Sequence, residues 1–350
     1  MARTSRVLWC HGSWRTRVAD LMLHVDSTRA RLARVTAMLK SFRKAVLAAA
    51  CSGKLTEDWR EKHLDIEPAS KLVQRIRASH ETAGVGHGGK AADPTEDVHT
   101  LAAEDFPNTW TVDELKWLCQ PGRSITYGIL KPGLNQLNGV PYIRVADFPG
   151  DRLELIGIKK TTRTIADEYK RSTLRSGDVL LSIRGTVGRV CRVPAELVGA
   201  NITQDTTRIA VNREISADYI ELYLRSPSVQ NRLNASMRGV AVRGVNIGDV
   251  RVLQVAVPPL DEQQEIVRRV EALFKLADAI EKRVAAASLR AERLTQAILA
   301  KAFRGELVST EAELARREGR EYEPASVLLE RIKAERAKTV AKKPGRSQSK

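Results

Sequence analysis

An apolar stripe stepping alternately by four and three residues runs through the last third of the chain: Ile266, Val270, Leu273, Ala277, Ile280, Val284, Ala287, Ala291, Leu294 and Ile298. That spacing is the 3.5-residue repeat of a coiled-coil seam. Pro258-Pro259 block a helix before them and suit one that starts just after. Gly305 suits its end. The helix so predicted has roughly 40 residues and is about 60 Å long at 1.5 Å per residue. A rod of that length with an apolar seam needs a second helix to cover it.

The second helix is predicted within the same chain. At an offset of 252 residues the seam returns as Leu21, Val25, Thr28, Leu32, Val35, Leu39, Phe42 and Val46. Arg43 to Leu55 (RKAVLAAACSGKL) lies over Thr295 to Leu307 (TQAILAKAFRGEL). Further on, Glu67-Pro68-Ala69-Ser70 lies over Glu323-Pro324-Ala325-Ser326, after four extra residues in the second copy. Shared phase together with shared residues off the seam marks an internal repeat, which defines architecture before any motif does.

Between the two copies the pattern changes. Short apolar runs bounded by turn residues predict strands at 140–145, 178–183, 186–193, 206–211 and 251–257, with helices at 218–224 and 228–238. The fold class is therefore α+β, one globular domain flanked by two long helices pairing as an antiparallel coiled coil. The chain divides into a divergent start (1–14), a first helical region (15–79), a Gly-punctuated linker (80–100), the globular domain (101–257), a second helical region (258–335) and a basic tail expected to lack structure (336–350).

The net charge of +16 argues for a polyanionic partner, nucleic acid first. Aromatic residues make up only 5%, thin for a single-strand stacking platform. The four cysteines are not at CxxC spacing, which reads as a reduced, cytoplasmic protein without a zinc site. No apolar run is long enough to span a membrane. Asp151 with Glu168 and Lys170 only faintly imitates a metal-dependent nuclease, and no Gly-rich loop offers a phosphate or dinucleotide cradle.

Pro258-Pro259-Leu260-x-Glu262-Gln263-x-x-Ile266-Val267 at the mouth of a long helix resembles the conserved region of type I restriction-modification specificity subunits. The middle domain resembles their target recognition domain through Phe106-Pro107-x-x-Trp110, Gly139-x-Pro141-Tyr142-Ile143-Arg144 with Asp147, and Leu174-x-x-Gly177-Asp178-Val179-Leu180-x-Ser182-x-Arg184-Gly185-Thr186-x-Gly188. The resemblance covers roughly residues 15–335. It implies a non-catalytic, cytoplasmic subunit that binds double-stranded DNA, reads one half of a split target and docks methyltransferase subunits, and through them the restriction and translocation subunit. S-adenosylmethionine, and ATP with Mg for restriction, are then expected on partner subunits, with no cofactor in this chain. A complete family member has two recognition domains, whereas this chain has one, and the Pro-Pro-Leu-x-Glu-Gln entry has no counterpart before the first helix. The chain is therefore expected to be the second half of a longer subunit, or else a half-subunit working as a homodimer. An adaptor that recruits partners without reading DNA, and a non-functional remnant, are the competing readings.

Base edges are read by bidentate donors, and phosphates by cations. The candidates for DNA contact are Arg123, Tyr127, Arg144, Arg184, Thr186, Arg189, Gln204, Arg238 and Arg243. For partner docking they are Val46, Leu47, Leu55, Ile298, Leu299, Phe303 and Leu307, on the Ala-rich helix ends; the bland alternative is that these ends pack on each other.

Overall fold

The computed structural model describes residues 5–84, 101–150, 152–237 and 244–341, with side chains described between residues 15 and 337. The first helical region holds α1 (Ser5–Cys51), α2 (Glu57–Arg60) and α3 (Ala69–Thr82). The globular domain follows as β1 (Thr111–Glu114), β2 (Thr126–Tyr127), β3 (Val140–Ile143), β4 (Lys160–Thr161), α4 (Arg163–Glu168), β5 (Val179–Ser182), β6 (Val190–Arg192), β7 (Asn201–Ile202), β8 (Thr206–Ile209), α5 (Ala217–Arg225), α6 (Pro227–Ala235), α7 (Ile247–Arg251) and β9 (Gln254–Val257). The second helical region holds α8 (Leu260–Phe303), α9 (Glu311–Glu318) and α10 (Ala325–Ala341).

Several limits differ from the sequence expectation. α1 begins at Ser5, inside the segment expected to be unpatterned, because adding a turn to an existing helix costs far less than nucleating one. α10 runs to Ala341, into the segment expected to lack structure. β6 is confined to Val190–Arg192, since Arg184–Arg189 is used up by a loop with left-handed glycines at 185 and 188. The linker from residue 85 to 100 and the tail from 342 lie outside the described residues.

Two compact units are present, residues 39–279 and the helical segments on either side of them. In the central unit β1 pairs antiparallel with β9, Thr111 opposite Val257, so the domain's entry and exit are clamped together. A four-stranded sheet has the order β2-β8-β5-β6 and is antiparallel throughout; a three-stranded sheet has the order β4-β3-β7. β5 is buried on both faces. Val179 and Leu181 enter the main core with Val190, Ile209, Tyr219 and Leu224. Leu180, facing the other way, joins Cys191, Ile143, Phe148 and Ile202 in a second core. Alternation along one strand thus builds two cores from one segment. Ser216 and Ser226 cap α5 and α6 with their hydroxyls, Pro227 taking the first turn of α6.

The main core also takes in α3 (Ala69, Leu72, Val73, Ile76), the end of α1 (Val46, Leu47) and the start of α8 (Ile266, Val270). Antiparallel pairing of α1 and α8 is explicit here. Arg43 bonds Asp278 and lies over the Phe274 ring, while further along α1 and earlier in α8 come Val46 with Ile266 and Val270. The mouth of α8 is fixed by its own motif. Gln263 accepts from the Ser216 amide at 2.8 Å and donates to the Pro258 carbonyl at 2.8 Å.

In the helical unit Val25, Ala291 and Ile298 form a small core, with Leu21, Met22 and Leu307 against it. Leu294, expected on the seam, is 52% exposed, and Thr295 takes the half-buried place. Between Ala291 and Ile298 the step of four therefore comes before the step of three, the seven-residue spacing being kept.

Candidate nucleic-acid interface

The candidate DNA contacts separate into two groups. Arg123 is held by a bidentate ion pair to Asp178, both bonds 2.8 Å, with the carboxylate buried. Arg144 grips Asp147, three residues away, in a capping box that opens a short helical turn. Arg189 donates to the carbonyls of Val145 and Phe148 at 3.2 and 3.4 Å. These three guanidiniums bond within the chain: Arg123 and Arg189 tie distant segments together, and Arg144 braces its own turn.

The second group converges. β5 ends and β8 begins at the same rim, where Ser182 faces Thr206. Beyond that pair the amides of Ile183 and Arg184 both donate to the Asp205 carbonyl, at 2.8 and 3.3 Å, so the β5–β6 loop is stitched to the β7–β8 turn. This brings exposed Arg184 against Gln204, its Nη1 donating to the amide oxygen at 3.3 Å. Exposed Thr186 lies in the same loop, closed by a bond from Ser182 Oγ to the Thr186 carbonyl at 2.5 Å. Gly185 adopts φ +70 with open space before it, a backbone conformation in which a side chain is strained. Gln204 is itself fixed by its amide bonding the Ile129 carbonyl at 3.0 Å, two residues beyond exposed Tyr127 on β2. Gly244 forms an antiparallel bridge with Arg184 at this rim. Arg238 and Arg243 lie outside the described residues, as does Asp151.

Sequence reasoning missed Asp205, which acts through its backbone carbonyl and leaves no side-chain signal. It also missed the loop that leaves Ile129. Thr161 Oγ1 bonds the Pro132 carbonyl at 2.6 Å, the Gln136 amide bonds the Lys160 carbonyl at 3.0 Å, and the Lys160 amide bonds Asn135 Oδ1 at 2.8 Å. Pinned in this way, the loop presents Leu134 and Leu137 at 84% and 91% exposure.

Burial sets the titration of the few perturbed groups in the domain. Arg208, enclosed on β8 and donating to the Ser124 carbonyl at 2.8 Å, is pulled down to about 10 and so stays charged at neutral pH. The Cys51 and Cys119 thiols are pushed up to about 12 by burial. Among the described residues no His, Cys, Asp and Glu cluster could hold a metal ion, and no helix is long and apolar enough to cross a membrane.

Of the docking candidates, Val46 and Leu47 are buried in the main core and Leu55 packs against it. Ile298 and Leu307 belong to the small helical core. Leu299 and Phe303 are exposed, Phe303 at 89%.

The model of the type I restriction modification DNA specificity domain matches residues 107–287. The type I restriction enzyme EcoBI specificity subunit of Escherichia coli is 36% identical over 331 residues, 93% of this chain and 62% of that protein. The EcoKI specificity subunit of Escherichia coli strain K12 is 31% identical over 348 residues, with coverage of 94% and 62%. The crystal structure of the HsdS subunit from Thermoanaerobacter tengcongensis aligns over 82% of this chain and 58% of that one, at 20% identity and a TM-score of 0.44. The chain belongs to the family of type I restriction-modification specificity subunits. It spans about 62% of the length of the first two of these relatives.

Proposed function

We propose that this chain reads double-stranded DNA through the rim that gathers Arg184, Thr186, Gln204 and Tyr127. It would supply one half of the specificity of a type I restriction-modification complex. The convergence of these four residues carries the reading. Two come from a glycine-hinged loop, one from the adjoining turn and one from the edge strand; Arg184, Thr186 and Tyr127 are exposed and Gln204 is half-buried beside Arg184. Arg184 suits the two acceptors of guanine, and Gln204 the N7 acceptor and N6 donor of adenine, in the major groove. The net charge of +16 adds the sequence-independent attraction to phosphates.

Chemistry falls to partner subunits in this reading. S-adenosylmethionine serves base methylation, and ATP with Mg serves restriction, both outside this chain. Exposed Leu299 and Phe303 near the end of α8 are the side chains offered to a methyltransferase subunit, since the neighbouring seam residues are already covered.

The test is selection from a pool of short duplexes with a randomised core, using the chain together with its methyltransferase subunits. Enrichment of a defined motif is expected. Arg184→Ala should relax one position of that motif at a cost of about 1–3 kcal/mol. A complex that enriches no motif overturns the reading.

A further inference from the structure

We propose that the loop carrying Leu134 and Leu137 is an apolar wedge that enters DNA between base pairs, beside the bases read by the Arg184 rim. The inference rests on the DNA-reading role proposed above and adds a second, mechanically different contact to it.

The first observation is exposure without slack. Leu134 and Leu137 are 84% and 91% exposed, and Ile156 is 97% exposed on the turn that leads back to β4. Leu134 and Leu137 are not side chains of a loose loop. The segment is fastened by Thr161 to Pro132, by Gln136 to Lys160, and by Lys160 to both Asn135 and the Leu137 carbonyl at 3.2 Å. Gly139 closes it at a point where a Cβ would stand 2.1 Å from the Thr161 carbonyl. A rigid loop that holds large apolar groups in water gains nothing for folding, and such a patch marks a binding surface.

The second observation is the charge around the tips. Lys131, Arg152, Lys159 and Arg163 are exposed, and none makes an ion pair among the described residues. Lys131 lies just before the loop in the chain and Lys159 and Arg163 flank β4, which pins it, with exposed Glu154 between Arg152 and Ile156. Cations on both sides of an apolar loop match a polyanionic backbone around a stack of apolar base faces. Minor-groove proteins that unstack and kink the duplex combine these two features.

The third is continuity with the rim. The Ile129 carbonyl accepts from the Gln204 amide, and the loop departs from that residue. Five residues separate Ile129 from Leu134, so the tip lies within about 18 Å of the rim, roughly five base-pair steps. Both contacts can therefore fall on one half-site. Insertion favours flexible pyrimidine–purine steps, which gives a sequence preference at a position no polar side chain reads.

The probe is the motif enriched from the randomised duplex pool, with 2-aminopurine placed in turn at each pyrimidine–purine step it contains. Binding by the unaltered complex should raise the fluorescence at one step, and Leu134→Ser with Leu137→Ser should abolish that rise. The double variant should also bind about ten-fold more weakly and lose the preference at that step, while the positions set by Arg184 persist. A motif bound with no fluorescence rise at any step overturns the wedge but leaves DNA reading standing. So does a double variant that keeps full affinity and step preference, including one that instead fails to retain the methyltransferase subunit, which would assign the leucines to a protein contact. Absence of any enriched motif removes the DNA reading itself, and the wedge with it.

Discussion

The indole nitrogen of Trp110 donates to the carboxylate of Glu262 at 2.8 Å, deep in the central unit. The other carboxylate oxygen accepts from the Thr56 hydroxyl at 2.7 Å and from Arg60. One fully buried acid therefore binds the turn after α1, the entry of the globular domain and the first turn of α8. Removing it leaves Arg60, Thr56 and Trp110 without their shared acceptor. Glu262→Ala should cost about 3–5 kcal/mol, the range for breaking a buried ion pair. Glu262→Gln keeps an acceptor but loses the charge, and should cost less. Exposed Glu271→Ala, on the same helix, should stay within about 0.5 kcal/mol. Urea unfolding of the three variants checks the order, and equal midpoints for Glu262→Ala and Glu271→Ala would refute it.

The internal repeat offers a comparison that few chains provide. Ile76 on α3 is fully buried in the main core, whereas Ile332, its counterpart on α10, is 38% exposed. Leu72 is buried and its counterpart Leu328 only half so. The same motif is thus structural in one copy and open in the other. Ile76→Ala should destabilise the protein by about 2–5 kcal/mol through transfer and cavity terms together. Ile332→Ala should shift it by no more than about 0.5 kcal/mol. Thermal melts of both variants distinguish the two sites.

How far the sequence could be read depended on the range of the interaction. The coiled-coil seam was legible because its spacing is local, but it failed at Thr28, which is exposed, and at Leu294, where the facing position moves to Thr295. The central strands were legible from their apolar runs. β1, β2, β4 and β7 were not: β1 (Thr-Val-Asp-Glu) has no apolar run, and the other three are two residues long and exist only through partners distant in the chain. Among the arginines, Arg144 carried a local warning in Asp147 three residues on. Arg123 carried none, its partner Asp178 being 55 residues away. Whether an arginine faces solvent or a carboxylate is a fact of tertiary structure that spacing does not encode.

Cys51 and Cys119 should be chemically silent while the chain is folded. Both thiols are buried and pushed up to about 12, so almost no thiolate forms near neutral pH. In a Cys10→Ser background, a thiol reagent at pH 8 should label neither until denaturant is added. Labelling within the native baseline would contradict the packing around α3 and the end of α1.

Acid should loosen the joint between α2 and α8. Arg269 bridges Glu265 at 2.6 Å and Asp58, and the Arg268 and Arg269 guanidiniums hold the Glu265 carboxyl at about 2. Asp58 is lowered too, by its bond from Arg269. The folded carboxyl values lie below those of the unfolded chain, near 4. Their stabilisation is thus present above about pH 4 and lost as pH falls toward 2. Arg269→Gln should lower the melting temperature at pH 7 and flatten its fall over that acid range. An unchanged acid slope would show that the bridge contributes nothing.

Arg123 and Arg184 make opposite predictions from the same residue type. Arg123 neutralises buried Asp178, whose carboxylate also accepts from the Arg175 amide at 2.8 Å. Arg123→Ala leaves that acid unpaired in the interior and should cost about 3–5 kcal/mol of stability. Arg184 is exposed, and its side-chain bond to Gln204, the one it makes among the described residues, is 3.3 Å. Arg184→Ala should leave the melting temperature within about 2 °C, since surface changes stay near 0.5 kcal/mol. Its effect should appear only in DNA binding, as a lost preference at one motif position. Melting curves and duplex selection on both variants separate the roles. If Arg123→Ala melts normally and Arg184→Ala melts early, the division of the arginines into structural and reading groups is reversed.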